Sequence, residues 1–312
     1  MNGLKQLLRP FAQGGRNAYQ RYFGEVGYIS RRFHYAKTAS REQAEIALRQ
    51  RAAARNSERA SPLARTIAAG LERDGYFQSD LSTLGLSSEV VDFCRKLADP
   101  VIGMSLEQVQ AKRAGRGKTY WLDLYQDVAE TRTPVAELIA ARDVIDVCSL
   151  YFGQAPFVHE CSLYFTPPGA AFLPHEMQGS QNWHLDNDRP RRVKLFMLPY
   201  GADEEAGATM FLPKPDSDLG KYRSFPGYFD DKQFAQFGLD PAKIVRFTGA
   251  PGAVLFFDTS RLFHCGSRTR SKSRVVLNID LSPVTSYLPY VQLAHGPLRR
   301  PRFAALNGDL LN

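Results

Sequence analysis

The sequence predicts a mainly β fold with flanking helices: a double-sheet jelly roll behind an N-terminal helical region. Three observations predict it. From Pro156 onward, short runs rich in Val, Phe, Leu and Tyr alternate with turn-forming stretches such as PPG, NDRP, PYGADEEAG and GAPG. Candidate strands are Phe157–Phe165, Val193–Leu198, Thr209–Leu212, Ile244–Phe247, Ala253–Asp258, Leu262–Gly266 and Arg274–Leu281. No helix of crossover length separates most of them, which fits antiparallel pairing better than a parallel sheet. Before residue 151 the periodicity is instead helical.

The helical part reads as a buttress. Segment 39–56 is rich in Ala, Glu, Gln and Arg with little apolar face, which suits an exposed helix. In SSEVVDFCRKLAD a Ser N-cap precedes Val90, Val91, Cys94 and Leu97 at spacings of three and four. Another helix starts at Pro134 and carries Val135, Leu138, Ile139, Ile145 and Cys148 at helical spacing. The organisation read from these signals is a basic helical extension over 1–60, a buttress over 61–150, a β core over 151–290 and a tail over 291–312. Within the core, the stretch Lys214–Lys243 reads as a loop inserted over one mouth of the barrel.

The 312 residues, 44% of them hydrophobic, support a substantial core. Their net charge of +8 is unevenly spread. Residues 1–60 hold twelve Lys or Arg against four Glu, and the remainder is balanced at 28 against 28. Such a lead, interleaved with Leu4, Leu7, Phe11, Tyr19 and Phe23, either suits an anionic membrane face or another polyanion, or is a solvated extension. The four cysteines form no CxxC pair, which argues for free thiols rather than a disulfide framework or zinc finger. No long apolar run and no signal-like leader is present. The expected location is cytoplasmic, with the basic lead suited to the inner face of a membrane.

Within QNWHLDNDRP, His184 and Asp186 are two residues apart. In extended backbone they project to one side and can converge on one ion. In FDTSRLFHCGSR, His264 follows a tight turn, and Arg274 stands ten residues further on. Two His and one carboxylate on one face of iron leave three positions open, enough for a cosubstrate and O2. A guanidinium nearby presents a planar fork to a carboxylate. The four residues together describe a site for Fe(II) and 2-oxoglutarate.

The chain resembles the phytanoyl-CoA dioxygenase family of Fe(II)/2-oxoglutarate oxygenases over roughly residues 70–285. ERDGYFQSDLSTLGLSSEVVDFCRKL is similar to the family's opening strand and helix, and SLYFTPPG to the strand before its HxD motif. RRVKLFMLPYGADEEAGATMFLPKP is similar to the strand, acidic turn with Gly207 and strand that come next. GAPGAVLFFDTSRLFHCGSRTRSKSRVVLNIDL is similar to the segment with the distal His and the Arg.

The resemblance implies a double-stranded β-helix, with His184, Asp186 and His264 as metal ligands and Arg274 on the far carboxylate of 2-oxoglutarate. Ser162, Tyr164 and Phe196 stand where the family contacts its cosubstrate. Where the family often has a small hydroxyl residue two after the distal His, this chain has Gly266. Asp186 itself favours hydroxylation or a similar oxidation, because related halogenases lack that carboxylate.

The implied activity is hydroxylation of a C–H bond in a small-molecule or lipid-linked substrate. One version is an anionic glycolipid sugar, as for the hydroxylases of the lipopolysaccharide sugar Kdo. Two other readings stand beside it: a non-catalytic metal-binding jelly roll, and an oxidative nucleic-acid demethylase, suggested by the spacing of Arg268 and Arg274. A nucleic-acid partner is disfavoured by the charge-neutral core. Lys194, Arg191 and Arg192 read either as a solvated strand edge or as contacts for an anionic substrate, and Trp183 reads as packing.

Overall fold

A computed structural model of the chain describes residues 43–113, 120–125, 133–172, 177–186, 191–217 and 227–283. The chain divides into two units, Met1–Ala47 with Val284–Leu298, and Leu48–Pro283 with Arg299–Asn312. Of the first, residues 43–47 are described and are helical; every strand, and every helix from Pro62 onward, belongs to the second. Most of the basic extension, residues 1–42, and the tail from 284 lie outside the described residues. No helix among those described is long and apolar enough to cross a membrane.

The helices begin where local chemistry favours it. After α1 (43–59), α2 (Pro62–Asp74) has Pro62 in its first turn. The Ser61 hydroxyl accepts from the Ala64 N–H at 3.0 Å. It stops at Gly75, whose φ of 82° is left-handed. In α3 (Glu89–Ala98) the N-cap residue Ser88 makes no side-chain cap hydrogen bond, and the Glu89 N–H donates instead to the Ser87 hydroxyl at 3.1 Å. A reciprocal capping box between Ser105 and Gln108 opens α4 (Leu106–Lys112). The helix expected from Pro134 is two helices, α5 (Pro134–Ala140) and α6 (Arg142–Phe152), broken at Ala141, where ψ is 135°. The apolar repeat runs on through the break, with Leu138, Ile139, Val144 and Val147 all buried, so periodicity alone does not register it.

All strand pairs are antiparallel. One sheet has the order β1-β9-β5-β11-β3-β2, built from β1 (Tyr76–Asp80), β2 (Leu122–Tyr125), β3 (Phe157–Thr166), β5 (Val193–Met197), β9 (Ala253–Asp258) and β11 (Arg274–Ser282). The other has the order β7-β4-β10-β6-β8, built from β4 (Trp183–His184), β6 (Thr209–Phe211), β7 (Tyr228–Phe229), β8 (Val245–Phe247) and β10 (His264–Cys265). The expected strands therefore recur with ends moved by a residue or two, and β1, β2, β4 and β7 join them. The four cysteines are buried, and none of them forms a disulfide among the described residues.

Every residue of β11 is buried because both faces of its sheet are covered. Val275, Leu277, Ile279 and Leu281 pack with Val193, Leu195 and Met197 against the helices, including Ile67, Leu71, Val144 and Val147. The alternate residues Arg274, Val276 and Asn278 face a cavity on the opposite side. Phe211 and Phe247 of the smaller sheet meet Leu255, Phe257 and Val276 of the larger, so the two sheets share a core beside that cavity. Strand alternation thus sends one side chain to the helical core and the next to the site.

Candidate metal centre and its cavity

His184 and His264 are direct cross-strand partners on β4 and β10, with ring centroids 4.1 Å apart. Asp186 lies just past β4, where its N–H donates to the Thr259 carbonyl at 2.9 Å. Its Oδ1 is 3.9 Å from His184 Nε2 and its Oδ2 is 3.9 Å from His264 Nε2. One ligand atom from each of the three residues lies within 4.8 Å of the others, a group able to hold a metal ion. Nδ1 of His184 donates to the Asn182 carbonyl and Nδ1 of His264 to the Leu262 carbonyl, each at 2.9 Å. A carbonyl only accepts, so both protons sit on Nδ1 and both Nε2 lone pairs point toward the shared position. Burial, followed by the neighbouring His184, holds His264 well below the usual histidine range, which keeps its lone pair available.

Asp186 is set among cations. Lys194 Nζ is 2.7 Å from Oδ2 and Arg192 Nη1 is 3.7 Å from the same oxygen. Burial alone would push the Asp186 carboxyl up, but Lys194 and Arg192, then the two imidazoles, hold it well below the carboxylate range. Arg192 is in turn anchored to Asp280, to which its Nε donates at 2.8 Å. Neither Lys194 nor Arg192 is a solvated strand edge. Arg191 points elsewhere, donating to the Tyr151 carbonyl and lying 4.9 Å from that ring.

The triad opens into a cavity of about 380 Å³ whose lining includes Arg274. Arg274 is 5% exposed, its Nη2 donates to the Thr209 hydroxyl, and its Nε has no partner among the described residues. No carboxylate among the described residues is within ion-pair distance. Burial lowers its pKa to about 10, still charged at neutral pH. A Cβ at Gly266 would stand 3.3 Å from Arg274 Nη1 and 3.5 Å from Thr209 Oγ1. The hydroxyl absent at 266 is thus present beside the guanidinium from β6. The motifs do not point to Thr209, and no local signal marks it, because β6 joins β10 only through tertiary pairing. Thr209→Val is expected to lower stability by about 1–3 kcal/mol, since a buried guanidinium N–H loses its acceptor. Urea unfolding would measure it.

Tyr164 and Phe196 line the cavity; Ser162, on the same face of β3, does not. The Tyr164 hydroxyl donates to Glu160 Oε1 at 2.5 Å and the Ser162 hydroxyl to the same atom at 3.2 Å. Trp183 is buried, donates from Nε1 to Asp231 at 2.8 Å and packs on Phe229 and Phe234. Arg268 is engaged with both Asp231 oxygens at 2.9 Å and lies over the Trp183 ring, so it does not join Arg274 at the cavity. The expected loop 214–243 contains β7 and the short helix α7 (Asp231–Gln236). It places the half-exposed Tyr228 ring 5.2 Å from that of His184. His175 and Asp188 lie outside the described residues.

No family model and no curated protein matches the chain. Solved structures that resemble it include EctD from S. alaskensis with 2-oxoglutarate and 5-hydroxyectoine, 20% identical over 70% of this chain and 75% of that one, with a TM-score of 0.48. EvdO2 from Micromonospora carbonacea var. aurantiaca is 16% identical over 76% and 95%, with a TM-score of 0.47. SnoN, a non-heme alpha ketoglutarate dependent epimerase from nogalamycin biosynthesis, is 13% identical over 76% and 93%, with a TM-score of 0.46. At these identities and TM-scores, the functional reading rests on the site's own residues.

Proposed function

We propose that the chain is an Fe(II)/2-oxoglutarate-dependent oxygenase that hydroxylates a C–H bond of a small-molecule or lipid-linked substrate. The observation that carries this reading is the joint presence, in one cavity, of a two-histidine, one-carboxylate group and a buried guanidinium without an ion-pair partner among the described residues. Two imidazoles and a carboxylate with open positions beside them suit non-heme Fe(II). Leaving a buried cation without an anion is costly in a resting protein and is offset when a dicarboxylate binds. Iron held there supplies O2 activation coupled to conversion of 2-oxoglutarate to succinate and CO2.

The chain's own residues do the rest. His184, Asp186 and His264 hold the ion, with each imidazole oriented by a backbone carbonyl. Arg274, with the Thr209 hydroxyl beside it, takes the far carboxylate and aims the keto acid at the triad. Tyr164 and Phe196 line the space between. The double-stranded β-helix and the likeness to phytanoyl-CoA dioxygenases belong to this same reading, supported by the HxD spacing and by two antiparallel sheets enclosing the site. Succinate should be released from 2-oxoglutarate in the presence of Fe(II) and O2, and His184→Ala should abolish it. Iron bound without any succinate would instead indicate a metal-binding jelly roll.

The substrate extends to glycolipid sugars such as Kdo if residues 1–60 contact an anionic membrane, a reading supported by their excess of eight positive charges. Deletion of 1–60 should then release the protein from phosphatidylglycerol vesicles at low salt. Unchanged binding would end that version.

A further inference from the structure

When the charges that line the cavity are paired off, one cation and one anion are left over among the described residues. Arg192 is paired with Asp280 and Lys194 with Asp186. Arg274 remains among the cations and Glu160 among the anions. Their backbone positions stand well apart. Arg274 is opposite Thr166 and Asp280 opposite Glu160 in the β11–β3 ladder, six residues further along, which is about 20 Å of strand.

Glu160 has one oxygen engaged and one free to accept. Tyr164 and Ser162 both donate to Oε1, and no donor among the described residues reaches Oε2. Beside it on β11 is Asn278, cross-strand partner of Ser162. Asn278 is 2% exposed and lines the same cavity, and its Oδ1 has no hydrogen-bond partner among the described residues. Asn278 Oδ1, a buried acceptor, is costly unless a ligand donates to it, and the partly exposed Glu160 brings a second acceptor to the same cavity. Trp121, packed edge-on against Tyr164 at 4.7 Å, and Tyr228 add aromatic surface to the lining.

We propose that Glu160 Oε2 and the Asn278 side chain form the substrate-recognition end of the cavity and take a hydrogen-bond-donating group, a hydroxyl or a protonated amine. A carboxylate placed there would meet Glu160 with like charge and is rejected. This deepens the oxygenase reading and rests on it in one respect, that Arg274 is occupied by the cosubstrate.

The test is calorimetric titration of the full chain, with and without Ni(II) and 2-oxoglutarate, using three ring-sized probes: glucosamine, glucose and glucuronate. Glucosamine and glucose should bind more tightly than glucuronate. Glu160→Gln should weaken glucosamine about 10- to 100-fold, the loss expected for a hydrogen bond to a charged group. Glucosamine clearly tighter than glucose identifies an amine; near-equal affinities identify a hydroxyl. Tightest binding of glucuronate, no binding of any probe at millimolar concentration, or an unchanged affinity in Glu160→Gln overturns the proposal. If Glu160→Gln does not fold, the wild-type order still decides. Loss of succinate release with glucosamine binding intact would count against the oxygenase reading alone.

Discussion

Arg274→Met is expected to weaken 2-oxoglutarate binding about 100- to 1,000-fold while raising the unfolding midpoint of the ligand-free protein. The affinity loss follows from removing a two-pronged, charge-assisted contact in a buried site, worth about 3–4 kcal/mol. The gain in stability follows from the same burial. Arg274 is a buried cation without a carboxylate among the described residues, its Nε unpartnered, and Met fills similar volume without a charge to desolvate. Calorimetric titration and thermal unfolding would read the two effects on one sample. A fall in the midpoint would mean that Arg274 supports the fold as well, and an unchanged affinity would remove it from the cosubstrate site. In the wild type, 2-oxoglutarate should raise the midpoint by mass action, and in Arg274→Met it should not.

Asp186→Ala is expected to reduce divalent-metal affinity by at least about 100-fold, since outer-shell partners alone are worth about 10- to 100-fold and Asp186 is placed to ligate directly. It should also destabilise the metal-free protein by about 2–3 kcal/mol, because Lys194 loses its carboxylate partner while Arg192 loses Asp186 and keeps Asp280. That figure lies between an exposed pair and a fully buried one, in keeping with a side-chain exposure of 15% for Asp186. The pH dependence has a definite sign. The folded carboxyl lies below its ordinary value of 3.8, so its contribution is complete above that pH and is lost only as the pH falls through the lower folded value. Chelator competition and urea unfolding at neutral pH would measure both effects. Unchanged metal affinity would remove Asp186 from the ligand set.

The parts of the site that could be read in the sequence are those whose geometry is local. His184 and Asp186 are two apart in extended chain, and that spacing alone places them on one side of the backbone. The inward set on β11, beginning at Arg274, is likewise a period of two. The helices that start at Glu89 and Pro134 announce themselves through the preceding serines and through the proline itself. The break at Ala141 does not, because an uninterrupted apolar repeat fits one helix as well as two.

Composition, turn residues and alternation by themselves determined that the second half of the chain is antiparallel β. They also identified HxD, a distant His and an Arg as the polar residues to watch. Only the tertiary structure decided what surrounds them. Thr209 reaches Arg274 across 65 residues of sequence, and Asp186 is paired with Lys194 from a different sheet. Glu160 and Asn278 share one cavity because β3 and β11 are in one register. A slip of a single residue would turn each of these side chains to the helical core. Cross-strand register is set by the packing of whole sheet faces, with Val275, Leu277 and Ile279 committed to the helices, and no short window of sequence contains that information.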